Sequence, residues 1–141
     1  PGSRPSAEVP SPARPIPVIG FHGDSDPLVP YQGGMSKKGA IILSAEGTAR
    51  FWAQKNGCDL SPQKQDIPDI KNDGTTISII HYSGCRDNAD VELYRIENAG
   101  HVWPGGAQYL PERIIGKTTH NINASELIWE FFKGHALKYL E

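Results

Sequence analysis

The stretch Ile16-Pro17-Val18-Ile19-Gly20-Phe21-His22-Gly23-Asp24-Ser25-Asp26-Pro27-Leu28-Val29-Pro30-Tyr31 decides the fold. Its first six residues form a short run with no polar member, and it stops at His22-Gly23. A run that is apolar throughout, rather than alternating, predicts a strand covered on both faces, as in a parallel sheet. Asp24 to Gly34 then reads as a loop, because Pro27, Pro30, Gly33 and Gly34 interrupt any regular backbone pattern. A strand followed at once by a loop rich in polar groups is the arrangement in which open α/β sheets build sites, beyond the carboxyl ends of their strands.

Outward from this stretch, Ala45 to Asn56 predicts a helix. Ser44 is its N-cap, Glu46 lies in the first turn, and Gly57 supplies the left-handed residue after its end. Asp59 to Gly74 is polar, contains Pro62 and Pro68, and reads as a loop. Thr75 to Tyr82 and Val91 to Glu97 are rich in β-branched and aromatic residues and predict two strands. Their short connection makes them antiparallel neighbours. Asn98 to His120 is a long loop, of the kind usually retained for function. A last helix starts near Ala124, with Asn123 as N-cap, Glu126 closing a capping box, and Leu127, Ile128, Phe131 and Phe132 as the buried stripe. Trp52 and Trp129 read as further core residues on the two helices. The order is strand, helix, two strands, helix. That is an α/β pattern with too few strands to form a closed core of its own.

Pro1 to Pro15 is rich in Pro, Ser, Ala and Arg and reads as a linker or irregular segment, leaving 16–141 as the folded portion. The formal net charge of −2 offers no basic surface for nucleic acid or an anionic membrane. No apolar run approaches the roughly 20 residues of a membrane helix. The missing signal peptide says nothing about export, because a mature segment would lack one.

Two cysteines are present, Cys58 and Cys85. Their spacing fits no zinc pattern. They are either buried free thiols or a disulfide, which would imply an oxidising compartment. Both lie in polar, turn-like contexts, Asn56-Gly57-Cys58-Asp59 and Ser83-Gly84-Cys85-Arg86. Exposed loop thiols are reactive, so these contexts favour the bridge. No two histidines have metal-ligand spacing. Asp66, Asp69, Asp73, Asp87 and Asp90 are scattered without the order of a calcium loop. Neither metal nor cofactor is expected.

Chemistry concentrates in two loops that follow strands, His22 to Tyr31 and Gly100-His101-Val102-Trp103-Pro104-Gly105-Gly106. An acid followed in chain order by a histidine suits a histidine base that takes a proton from a nucleophile and returns it to a leaving group, with a carboxylate fixing the ring's tautomer. Asp26 is the candidate acid, with Asp24 its rival in the same loop, and His101 is the candidate base. The plainer alternatives are a turn-capping aspartate and a loop histidine satisfied by backbone. Trp103 reads equally as a pocket wall and as a packing anchor for its Gly/Pro-rich loop. Tyr31 reads as structural, and His22 as hydrogen-bonded locally. Asn123-Ala124-Ser125 matches a glycosylation sequon, but a helix cap is the better reading of Asn123.

The strings HGDSDPLVPYQGG and GHVWPGG resemble the acid loop and the histidine loop of the polyhydroxybutyrate depolymerase and feruloyl esterase group of α/β-hydrolases. The helix ending in NGC, the second cysteine before the last strand and the closing INASELIWEFF are also similar, so the likeness runs from about Pro15 to Phe132. It implies a three-layer α/β/α hydrolase sheet of which this chain is the C-terminal portion, incomplete by itself. It further implies triad roles for Asp26 and His101, and a Cys58–Cys85 disulfide. Carboxylic ester hydrolysis by a secreted enzyme follows, on a polyester or a plant cell-wall ester such as a feruloylated sugar or acetylated xylan. One departure is decisive: no serine here sits in the G-x-S-x-G elbow that carries the nucleophile in such enzymes. The serine, the oxyanion donors and most central strands are therefore expected from an upstream segment, the chain's principal partner. A serine peptidase of the same fold and a non-catalytic binding module derived from a hydrolase are the competing readings.

Overall fold

The computed structural model describes residues 12–35 and 39–136. Most of the expected N-terminal linker, residues 1–11, lies outside them. In chain order the elements are β1 (Val18–Gly23), β2 (Gly34–Met35), β3 (Ile41–Ile42), α1 (Ala45–Asn56), β4 (Gln63–Ile67), β5 (Thr76–Tyr82), β6 (Val91–Glu97), α2 (Glu112–Ile115) and α3 (Ala124–Gly134). Four strands form a mixed sheet in the order β1-β6-β5-β4. β1 runs parallel to β6, with Val18 opposite Val91 and Gly23 opposite Ile96. β5 is antiparallel to both β6 and β4. This is compatible with an α/β fold.

Alternation along the central strands divides the core in two. Ile80, Tyr82, Val91 and Leu93 meet Ala45, Ala49 and Ala53 of α1 on one face. On the other, Ile77, Tyr94 and Ile96 meet Leu127 of α3 and Ile122. The alanines let α1 lie close against the sheet. Its caps form as its sequence predicts: Ser44 Oγ accepts from Gly47 N, and Gly57 adopts φ 69°. Asn123 caps α3, its side chain accepting from Ser125 and Glu126 N–H.

Four sequence expectations need correction. Among the described residues β1 is an edge strand, paired on one side only, and Val18 to Phe21 are half-buried rather than covered on both faces. The 59–74 segment contains β4, hidden from pattern reading because four of its five residues are polar and mostly exposed. Pro62 and Pro68 flank this edge strand instead of preventing it. The 98–120 loop includes the single helical turn α2. Finally, α3 buries a narrower stripe than its sequence suggests. Phe131 is buried, but Phe132 and Trp129 are 45% and 68% exposed. The helix lies against β1 at the margin of the sheet, where only one row of side chains finds a surface.

Cys58 and Cys85 form a disulfide. It fastens the end of α1 to the β5–β6 connection and closes a loop with a sequence separation of 27. In the chain-entropy model, a closure of that length stabilises the fold by about 3.5 kcal/mol. Arg86 reinforces the junction by donating to the carbonyls of Lys55 and Asn56 at the helix end.

Asn56 joins three elements. Its side chain is fully buried, its Oδ1 accepts from Ile16 N, and its Nδ2 donates to the carbonyls of Ile16 and Ala89. Removing it leaves the buried Ala89 carbonyl and the part-buried Ile16 N–H and C=O without their partner. A buried group left unpaired costs about 1–3 kcal/mol, so Asn56→Ala is expected to lower unfolding stability by about 2–3 kcal/mol, read from denaturant midpoints at unchanged slope.

Candidate functional site

β1 and β6 end at the same rim of the sheet, and the loops leaving them touch through backbone. Ser25 N donates to Ala99 O at 3.0 Å, and Asp24 N donates to Ile96 O at 3.0 Å. Glycine makes this approach possible. A Cβ on Gly23 would overlap the Ala99 and Gly100 carbonyls, and one on Gly100 would overlap the Ile115 carbonyl and Gly116 Cα. Those two positions therefore admit no side chain without displacing main chain. On its far side the histidine loop is held by Gly100 N donating to Lys117 O and His101 N donating to Ile115 O.

The result brings Asp26 and His101, 75 residues apart, into direct contact: His101 Nδ1 lies 2.8 Å from Asp26 Oδ2. The Asp26 side chain is 3% exposed and the imidazole 27%. Oδ1 of Asp26 accepts from Leu28 N and Val29 N, each at 2.8 Å. The carboxylate is thus both a loop cap and a partner of the imidazole, so its turn-capping and ring-orienting readings describe one residue. Carboxylates are acceptors when ionised, so Nδ1 carries the proton in this pair and Nε2 is the nitrogen left for an incoming group.

Asp24 has other work. Its Oδ2 pairs with Arg95 at 3.0 Å and its Oδ1 accepts from Asn98 N at 2.9 Å, tying the acid loop to the end of β6. The Asp24 hydrogen bond holds the Arg95 guanidinium above its ordinary range. Arg95 lies over the ring of Tyr31, which is buried and donates to Glu46. Burial, with Glu46 beside it, raises the Tyr31 phenol well above its usual value. His22 is also buried, with Nε2 2.9 Å from Val29 O. Burial lowers its pKa from 6.5, against the opposing pull of the Val29 carbonyl and Asp26.

His101, Asp26, His22, Trp103 and Tyr109 all line a cavity of about 210 Å³. Trp103 is half exposed and donates from Nε1 to Ser125 Oγ at 3.2 Å. It lines the cavity and also lies against Gly106 of its own Gly/Pro-rich loop. Tyr109 went unnoticed in the sequence because nothing in its flanks marks it. It is 62% exposed and its hydroxyl donates to the His101 carbonyl at 3.4 Å. Among the described residues no serine hydroxyl is hydrogen-bonded to His101, and no group of three or more His, Cys, Asp or Glu is arranged to hold a metal ion. Asp69 and Asp73 are occupied by the backbone of their own loop and by Asn121. Burial raises both carboxyls, but hydrogen bonds outweigh it and hold them below the ordinary range, chiefly from Gly74 and Asp73 N–H at Asp69 and from the Thr75 hydroxyl and His120 N–H at Asp73. No helix among the described residues is long and apolar enough to cross a membrane.

Comparison with known proteins finds distant relatives named as esterases. Feruloyl esterase B of Piromyces equi is 34% identical over 94 residues, covering 64% of this chain and 16% of that enzyme. A protein named "Putative esterase NocK" from Nocardia uniformis subsp. tsuyamanensis is 27% identical over an alignment of 141 positions, covering 92% of this chain and 40% of its own length. No family model matches. The chain spans well under half of either relative. The two names support an esterase-like family.

His22 gives the site a pH-dependent stability. Its folded value lies below 6.5, so the folded state binds fewer protons than the unfolded one across that window. This contribution is fully present above 6.5 and is lost as pH falls through the lower folded value. Urea unfolding between pH 8 and 4 is expected to show the decline in the wild-type chain and a flatter profile in His22→Gln.

Proposed function

We propose that this chain is the C-terminal portion of an α/β-hydrolase domain, and that it supplies the acid, Asp26, and the base, His101, of a carboxylic ester hydrolase. The observation that carries this reading is the 2.8 Å contact between His101 Nδ1 and Asp26 Oδ2 at the rim of the sheet, with the imidazole opening on a cavity. Orientation by a buried carboxylate leaves Nε2 ready to accept a proton from a nucleophile and to return it to the leaving alkoxide, while the carboxylate stabilises the imidazolium between the two transfers.

The nucleophile and the oxyanion donors come from an upstream segment. The unpaired edge of β1 supports this, since the strand carries Val18, Ile19 and Phe21 and lies open on one side to a further strand. The half-covered α3, with Trp129 and Phe132 outward, supports it again. A serine in that segment would attack the ester carbonyl and form an acyl-enzyme, which water then cleaves with His101 as base. The substrate is an ester, of a polyester or of plant cell-wall material, with Trp103 at the pocket wall. The disulfide fits a secreted enzyme.

The intact parent protein is expected to hydrolyse short acyl esters. His101→Ala should lower kcat by about 10⁴-fold or more, and Asp26→Asn by about 10⁴-fold through loss of the correct tautomer. The 141-residue chain alone should show no turnover. Full activity in His101→Ala would overturn the assignment. A parent that cleaves peptides but not esters would favour the peptidase, and a parent that forms no acyl-enzyme with an activated ester would favour a non-catalytic module.

A further inference from the structure

We propose that His22 is a positioning residue, which as the neutral Nε2–H tautomer locks the acid loop so that Asp26 keeps one oxygen for His101. This rests on the acid–base reading of Asp26 and His101 and adds a third residue to it. His22 is the penultimate residue of β1, is 3% exposed, and reaches the same cavity as the pair. Its Nε2 lies 2.9 Å from the Val29 carbonyl. A carbonyl only accepts, so Nε2 carries the proton. Nδ1 is then a bare ring nitrogen, and it has no hydrogen-bond partner although it is buried.

Val29 is consequently held through both of its backbone polar groups, its N–H by Asp26 Oδ1 and its C=O by His22. With Oδ1 committed to Leu28 and Val29, Oδ2 is the oxygen that remains for His101. His22 Nε2 stands 3.7 Å from that same Oδ2, too far for a hydrogen bond but close enough for a charge to matter. Neutral His22 leaves Oδ2 to His101. Protonated His22 would place a second cation beside it and would bury an Nδ1–H with no acceptor.

Burial is the main force against that protonation. Tyr31 presents its ring to the imidazole, edge to face, at 5.4 Å and directs its hydroxyl to Glu46 of α1. Arg95 of β6 lies over the Tyr31 ring and is itself paired with Asp24. From the loop after β6, His101 adds a further basic group. The Val29 carbonyl and Asp26 favour a charge on His22, but burial outweighs both, and the near oxygen of Asp26 is already engaged by His101.

Two measurements test this. In the full 141-residue chain, nitrogen-15 NMR of the histidine rings at pH 7 is expected to show His22 as the Nε2–H tautomer. An Nδ1–H tautomer or an imidazolium overturns the proposal, whatever the enzyme does. In the intact parent, His22→Leu is expected to lower kcat by about tenfold or more with KM changed less than about twofold, as a displaced catalytic group should. His22→Gln, whose amide also donates to the Val29 carbonyl, should recover most of that loss, and its acid limb should be one proton shallower than the wild type's. An unchanged kcat in His22→Leu, or equal losses in both variants, overturns the positioning role. Retained activity in His101→Ala would instead overturn the acid–base reading, and the NMR result separates the two failures.

Discussion

The parallel pairing of β1 with β6, Val18 opposite Val91 through Gly23 opposite Ile96, brings both strands to an end at one rim. The geometry of the candidate site hangs on that register. A shift of one residue would turn each side chain of β1 to the opposite face and move Gly23 away from Ala99. The two loops then could not approach, because the contact between them is backbone on backbone, at glycines that tolerate no Cβ. With the register kept, Asp26 and His101 meet although 75 residues separate them.

Around this contact the loop chemistry is economical. Asp26 caps its own loop through Oδ1 and faces His101 through Oδ2. Asp24, two residues away, uses both oxygens to bind the loop to Arg95 and Asn98 on the neighbouring strand. One carboxylate therefore fixes where the loop sits, and the other presents itself to the imidazole. The scaffold behind them is held at its opposite end by Asn56, Arg86 and the Cys58–Cys85 bridge, which join α1 to the starts of β1 and β6. The rim can thus carry long Gly/Pro-rich loops while the base of the sheet remains tied.

Among the described residues β1 is short, apolar and unpaired along one edge, a surface that isolated proteins usually cover or charge. α3 sits beside that edge with Trp129 and Phe132 facing outward. The chain spans 16% and 40% of the relatives it matches.

Local signals in the sequence determined a good deal. Ser44, Gly57 and Asn123 marked helix ends, because caps act within a few residues of themselves. β-Branched runs marked β5 and β6, and the order of acid and histidine marked Asp26 and His101. What escaped was set by long-range placement. β4 forms from Gln, Lys and Asp because β5 offers it a ladder, not because its residues favour a strand. Phe132 and Trp129 stay exposed because α3 lies at a margin, which helical periodicity cannot reveal. Tyr109 enters the site only through the fold of the 98–120 loop. Between Asp24 and Asp26 the sequence offered a preference. Only the tertiary structure assigned one to Arg95 and the other to His101, because hydrogen-bond partners are fixed by where strands end in space and not by spacing along the chain.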